Sequence, residues 1–127
     1  MLCTGVDMIE VHRMEEAVAR HGERFLRRIF TQKELEQVGE NMPSLAARYA
    51  AKEAVAKALG TGIGPVEWVE IEILRGPAKE PLLILHGKAR KLADERNLHD
   101  WSISLSHTHE HAIAIAVAME KNEQANS

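Results

Sequence analysis

The chain has 127 residues, 45% of them hydrophobic and 28% charged, with a formal net charge of -3 and one cysteine. That length suffices for one domain with its own core, while the slight acidity excludes general nucleic-acid binding, which calls for a basic domain. The longest apolar run, Ala112 to Met119, is too short to span a bilayer, and the lone Cys3 suits a reducing compartment. The N-terminus lacks the basic region and apolar stretch of a signal peptide, so residence in the cytoplasm is expected.

Alternation of Leu2, Thr4, Val6 and Met8 with Cys3, Gly5, Asp7 and Ile9 predicts a first strand with Asp7 near its end. From Glu10 the period turns helical, with Val11, Met14, Val18, Phe25 and Ile29 on one side and Gly22 as a candidate break. Arg13, Arg20, Arg24 and Arg27 share the opposite stripe, with Arg28 close by. Such a stripe is usually a solvated face, and its alternative is an acidic partner. Thr31-Gln32-Lys33-Glu34 is a capping box opening a short helix to about Gly39.

Ser44 is placed as the N-cap of an alanine-rich helix that stops at Gly60. This helix carries Arg48, Lys52, Glu53 and Lys57, and its alanines leave room for something bulky to approach the charges. It asks for an anion. Glu53 and Lys57 are spaced for a surface ion pair worth roughly 0.3–0.5 kcal/mol. Arg48 lies about 140° round the helix from Glu53, so a ligand touching both must be extended.

Gly60-Thr61-Gly62-Ile63-Gly64 follows a helix and lacks the Gly-Lys-Ser/Thr ending, which excludes a dinucleotide fingerprint and a P-loop. A strand is expected through Val69, Ile71 and Ile73, another at Leu82 to Leu85, and a helix from Gly87 to Asn97. Trp101 to Leu105 and Ala112 to Met119 alternate as two antiparallel strands joined near Thr108 to Glu110, and the alanine face of the second would let a helix lie close. His107, His109 and His111 would share a face only on a continuous strand, and the expected turn removes that zinc arrangement. Asp7 is either a helix cap or a hard oxygen ligand; with Glu53 it would suffice for magnesium if folding joins them. The domain is expected to span 1–121, with a polar tail over 122–127.

In order, Gly5-Val6-Asp7-Met8-Ile9-Glu10, Phe30-Thr31-Gln32-Lys33-Glu34, Arg48-Tyr49-Ala50-Ala51-Lys52-Glu53-Ala54 through Lys57-Ala58-Leu59-Gly60-Thr61-Gly62, and Ser104-Leu105-Ser106-His107-Thr108 resemble the holo-[acyl-carrier-protein] synthases. These are the small form of 4'-phosphopantetheinyl transferase. Tyr49 stands where Trp or Phe is common, and Gly76 to Pro81 is longer than the usual Gly-Lys-Pro turn.

The resemblance implies an α+β fold, an antiparallel sheet packed against helices, assembled as a homotrimer with sites between subunits. It implies transfer of 4'-phosphopantetheine from coenzyme A to a serine of apo-acyl carrier protein, in support of fatty acid biosynthesis. Asp7 and Glu53 match the magnesium ligands and Lys57 the helix lysine that neutralises phosphate. Arg48 and His107, with Thr108, Gly60 and Gly62, match contacts to coenzyme A. Glu53, or a water held by Asp7 and Glu53, would accept the serine proton. Because acyl carrier proteins are acidic, Arg13, Arg20, Arg24 and Arg28 become the expected docking surface. Two other classes use parts of the same set: a magnesium-dependent phosphoryl transferase or hydrolase acting on coenzyme A or nucleotides, and a non-catalytic carrier-binding module.

Overall fold

The structure, a computed structural model, describes residues 1–121; the expected tail over 122–127 lies outside the described residues. Strand β1 (Leu2–Glu10) leads into helix α1 (Val11–Ile29), then α2 (Gln32–Val38) and α3 (Met42–Leu59). After a 3-10 turn at Trp68–Glu70 come β2 (Ile71–Arg75), β3 (Pro81–Leu85), α4 (Gly87–Glu95), β4 (Leu98–His107) and β5 (His111–Glu120). The arrangement is α+β: an antiparallel sheet in the order β1-β5-β4, a separate β2-β3 hairpin, and helices packed on them.

The alternation in β5 explains why α3 lies where it does. Ala112, Ala114, Ala116 and Ala118 are all buried; the last three share one core cluster with Ala50, Ala51, Ala54, Ala58, Val55, Leu59, Ile71 and Ile73, and Ala112 joins a second with Ala46, Ala47, Val11 and Met14. Small residues on both surfaces let the helix backbone approach the sheet. At Gly5 the approach is limiting, because a Cβ there would sit 1.9 Å from the Ala54 carbonyl oxygen. Glycine at this position brings β1, and so Asp7, against the middle of α3.

The opposite face of the sheet has no cover among the described residues. Leu2, Val6 and Met8 of β1 pair with Met119, Ile115 and Ile113 of β5, and all six are exposed.

Helix α2 is tied to α3 and β2 through Glu34, which is fully buried. Its carboxylate accepts from Thr31 N at 2.8 Å, Ile73 N at 2.8 Å and Lys52 Nζ at 2.8 Å. Lys52, also fully buried, donates further to the carbonyls of Trp68 and Ile71 and lies 5.6 Å from the Phe30 ring centroid. Burial lowers the Lys52 pKa, and Glu34 opposes that shift. The anion that Lys52 asks for is therefore internal.

Several local expectations are corrected. Helix α3 starts at Met42 with Asn41, not Ser44, as N-cap; Asn41 Oδ1 accepts from Ser44 N at 3.1 Å, and Pro43 occupies the first turn, where it has no N–H to lose. Val69 lies in the 3-10 turn, not in a strand, because the chain must bring Trp68 and Ile71 carbonyls round the Lys52 ammonium. Gly22, at φ 59° and ψ -141°, breaks α1. The arginines therefore do not form one straight stripe: Arg13 and Arg20 precede the break, and Arg24, Arg27 and Arg28 follow it.

Between β4 and β5, Thr108 N donates to His111 O at 2.8 Å, and the Thr108 hydroxyl accepts from Glu110 N and His111 N. His107 pairs with Ala112 and takes the helix-covered face, whereas His111 alternates to the other. The three histidines share no face.

Candidate active site

Asp7 leaves β1 on the face covered by α3, where it meets Lys57 from the last turns of that helix. Lys57 Nζ donates to Asp7 Oδ1 at 3.3 Å and to the Val6 carbonyl at 2.9 Å. Lys57 thus pairs across elements with Asp7, not along its own helix with Glu53. Asp7 and Glu53 line one cavity of about 300 Å³, together with Arg13, Tyr49 and Phe25. The folding step that unites strand and helix therefore brings the two carboxylates together.

Glu53 has its pKa raised, first by burial and then by the negative charge of Asp7, with Lys57 opposing. Tyr49 is raised as well, by burial and then by Glu53 and Asp7, so its phenol stays protonated. Its ring stacks on Trp68 at a centroid distance of 4.5 Å, which fixes it at the cavity wall. Two carboxylates held together against their mutual repulsion favour a cation between them, and hard oxygens suit magnesium. The donor set thus fits a divalent cation that keeps other positions for phosphate and water.

Arg48 faces another way, as its helical azimuth demands. It lines a separate cavity of about 410 Å³ with Ser44, Arg75, Lys79, Ser106 and His107. The sequence-predicted residues therefore divide into two groups on α3: Asp7, Glu53 and Lys57 on one side, Arg48 and His107 on the other. Gly60, at φ 90°, closes α3 as its C-cap, with the Arg96 guanidinium over it and donating to the Leu59 carbonyl. Gly62 N and Thr61 N donate to the Ala56 carbonyl, so this loop completes the helix end. Neither glycine, nor Thr108 in its turn, lines either cavity.

Arg75, Lys79 and Gln37 had no signal in the sequence pattern. Arg75 and Lys79 reach the Arg48 cavity only because the β2-β3 hairpin folds back over α2 and α3, and Gln37 of α2 bonds both Arg48 and the Arg75 backbone. Of the arginines expected to dock a partner, Arg13 stands at the carboxylate cavity, whereas Arg28 borders a groove formed with Ile63 to Val69. Arg20 and Arg24 are exposed on α1.

A model of the 4'-phosphopantetheinyl transferase superfamily matches residues 3–116. The chain belongs to this superfamily. Among curated relatives, this transferase is 48% identical to the holo-[acyl-carrier-protein] synthase of Herpetosiphon aurantiacus over 114 residues, 84% of this chain and 90% of that one. It is 47% identical to that of Moorella thermoacetica, over 84% of this chain and 85% of the relative. Its fold matches the crystal structure of the Helicobacter pylori holo-[acyl-carrier-protein] synthase in complex with coenzyme A, with a TM-score of 0.84 at 32% identity, covering 91% of this chain and 99% of that one.

Proposed function

We propose that the chain transfers the 4'-phosphopantetheine arm of coenzyme A to a serine hydroxyl of an apo-acyl carrier protein, a reading supported by relatives named holo-[acyl-carrier-protein] synthase. The observation that carries this reading is the meeting of Asp7 and Glu53 at one cavity, with Lys57 bonded to Asp7. In the reaction the serine oxygen forms a bond to the β-phosphorus, the bond from that phosphorus to the bridging oxygen breaks, and adenosine 3',5'-bisphosphate leaves.

Asp7 and Glu53 would hold magnesium, which when bound supplies charge neutralisation across the pyrophosphate. Lys57, anchored by Asp7 and the Val6 carbonyl, offers its remaining donor capacity to the leaving phosphate, where charge builds. Glu53, or a water beside it, accepts the serine proton. Release of adenosine 3',5'-bisphosphate from coenzyme A separates the readings: transfer requires apo-carrier protein for release, whereas a coenzyme A hydrolase releases nucleotide without it.

Arg48 and His107 serve the nucleotide phosphates, in a cavity on the other side of α3 from the carboxylates. A homotrimer reconciles the two, each complete site joining the carboxylate cavity of one subunit to the cationic cavity of its neighbour. The uncovered face formed by Leu2, Val6, Met8, Ile113, Ile115 and Met119 supports such an assembly, since exposed apolar patches of this kind mark contact surfaces. Light scattering is expected to give three times the chain mass of 14.2 kDa, and a monomeric mass would exclude the shared site.

Arg13 is the arginine best placed to meet an acidic carrier beside the reacting serine. Arg13→Ala is expected to raise KM for carrier protein about tenfold and to flatten the salt dependence of turnover, with KM for coenzyme A unchanged. Steady-state kinetics at two ionic strengths checks this; an unchanged carrier KM would remove Arg13 from the docking surface. No helix among the described residues is long and apolar enough to cross a membrane, and the cytoplasm, where carrier protein and coenzyme A meet in fatty acid synthesis, is the proposed compartment.

A further inference from the structure

The cavity beside Arg48 concentrates positive charge in its lining. Arg48, Arg75, Lys79 and His107 line it with Ser44 and Ser106, and no aspartate or glutamate among the described residues is in its lining. Arg48 is only 5% exposed; its Nη2 donates to Gln37 Oε1 at 3.1 Å, and its Nη1 is buried with no partner among the described residues. Gln37 also accepts from Arg75 N at 2.7 Å and donates to Arg75 O at 3.2 Å. This neutral amide fixes the position of Arg48 without neutralising it. A buried guanidinium with an unused N–H is a costly arrangement unless a ligand supplies the acceptor.

Lys79 gives an independent sign. Its φ is +66°, and the only other described non-glycine residue at positive φ is Asn97, a type that tolerates that region. The turn does not use the Lys79 side chain. Gly76 N donates to Glu80 O at 2.8 Å, Lys79 N to Gly76 O at 2.9 Å, and the Glu80 carboxylate accepts from Ala78 N at 2.8 Å. The ammonium makes no ion pair with any described residue, and its surroundings are the Arg48 cavity. Glycine would relieve the backbone there, so the lysine is held against its conformational preference.

We propose that Lys79 is a specificity-determining residue, its ammonium joining Arg48, Arg75 and His107 on the ribose phosphate monoester of coenzyme A and thereby selecting against the 3'-dephospho form. This rests on coenzyme A being the ligand, as proposed above. The chemistry distinguishes which phosphate belongs here. A phosphate monoester approaches two negative charges at neutral pH and presents three terminal oxygens, whereas each phosphorus of the pyrophosphate diester carries one charge. Several cations converging with no carboxylate, two of them arginines able to grip in bidentate fashion, suit the dianion.

Calorimetric titration of the wild-type assembly and of Lys79→Gly, Lys79→Met and Lys79→Arg with coenzyme A and with 3'-dephospho-coenzyme A tests the assignment. The Gly and Met variants are expected to bind coenzyme A about tenfold more weakly, the size of one hydrogen bond to a charged group. Both should bind the dephospho form as wild type does, Lys79→Arg should restore most of the preference, and Lys79→Gly should melt no lower than wild type because it relieves the turn. Unchanged coenzyme A affinity in the Gly and Met variants, or equal losses for both ligands, overturns the role of Lys79. A wild type that binds neither ligand overturns the coenzyme A reading itself, and this inference with it.

Discussion

Glu53→Gln and Asp7→Asn are each expected to lower kcat/KM for transfer by at least about 1,000-fold, the scale of losing a principal electrostatic stabiliser of a phosphoryl-transfer transition state. Each change keeps the side-chain shape and removes one of the two negative oxygens groups in the cavity. Neither should unfold the protein. Burial and then the charge of Asp7 raise the proton affinity of Glu53, so neutralising either carboxylate relieves repulsion, and the Asp7–Lys57 pair is partly exposed on both sides. The discriminating readout is magnesium: initial rates titrated with the metal should show a requirement shifted to much higher concentration in both variants. A Glu53→Gln enzyme that lost rate yet kept the normal magnesium dependence would make Glu53 a proton acceptor alone, not a metal ligand. Asp7→Asn has a second consequence, because Lys57 loses its ionic partner and keeps only the Val6 carbonyl.

Lys52→Met is expected to cost about 3–5 kcal/mol of folding stability, the range for leaving a buried charge without its partner. Glu34 and Lys52 are both fully buried, and the carboxylate also holds the N-terminus of α2 and the Ile73 amide. With the ammonium gone, Glu34 must be protonated or remain as an uncompensated anion in the core. The double variant Glu34→Gln with Lys52→Met should recover part of the loss, since the buried charge is gone and the amide oxygen at residue 34 can still accept from one of the two backbone N–H groups, Thr31 or Ile73. Denaturant unfolding of the two single variants and the double closes the cycle. A loss below about 1 kcal/mol for Lys52→Met would show that the pair is not the tie between α2, α3 and β2.

Much of the architecture was legible in the sequence because its signals were local and periodic. The alternation from Ala112 to Met119 named both the strand and its helix-facing side, and the capping box at Thr31 and Glu34 was formed as expected. What was not legible depends on contacts between distant segments. Lys52 stood in the sequence beside Glu53 as another candidate for a bound anion, and only the return of α2 and β2 around α3 shows that Glu34 already neutralises it. The pairing of Lys57 with Asp7 instead of Glu53 is of the same kind, because helical spacing reports neighbours on one helix and says nothing of a strand passing beside it. Gly22 was visible as a break, yet its consequence, the division of the arginine stripe, follows from a backbone angle that no pattern encodes. Arg75 and Lys79 entered the cationic cavity through the hairpin fold alone.

The physical account makes α3 the axis of the proposed chemistry. Its alanines and Gly5 set the distance to the sheet, and that distance decides whether Asp7 meets Glu53 and Lys57. Intact-mass measurement of an apo-acyl carrier protein incubated with this protein, magnesium and coenzyme A tests the central claim most directly. The account predicts a gain of roughly 340 Da on the carrier, the mass of the covalently attached arm, abolished when its acceptor serine is replaced by alanine. A carrier whose mass stays unchanged while the protein is folded and coenzyme A is bound would contradict it.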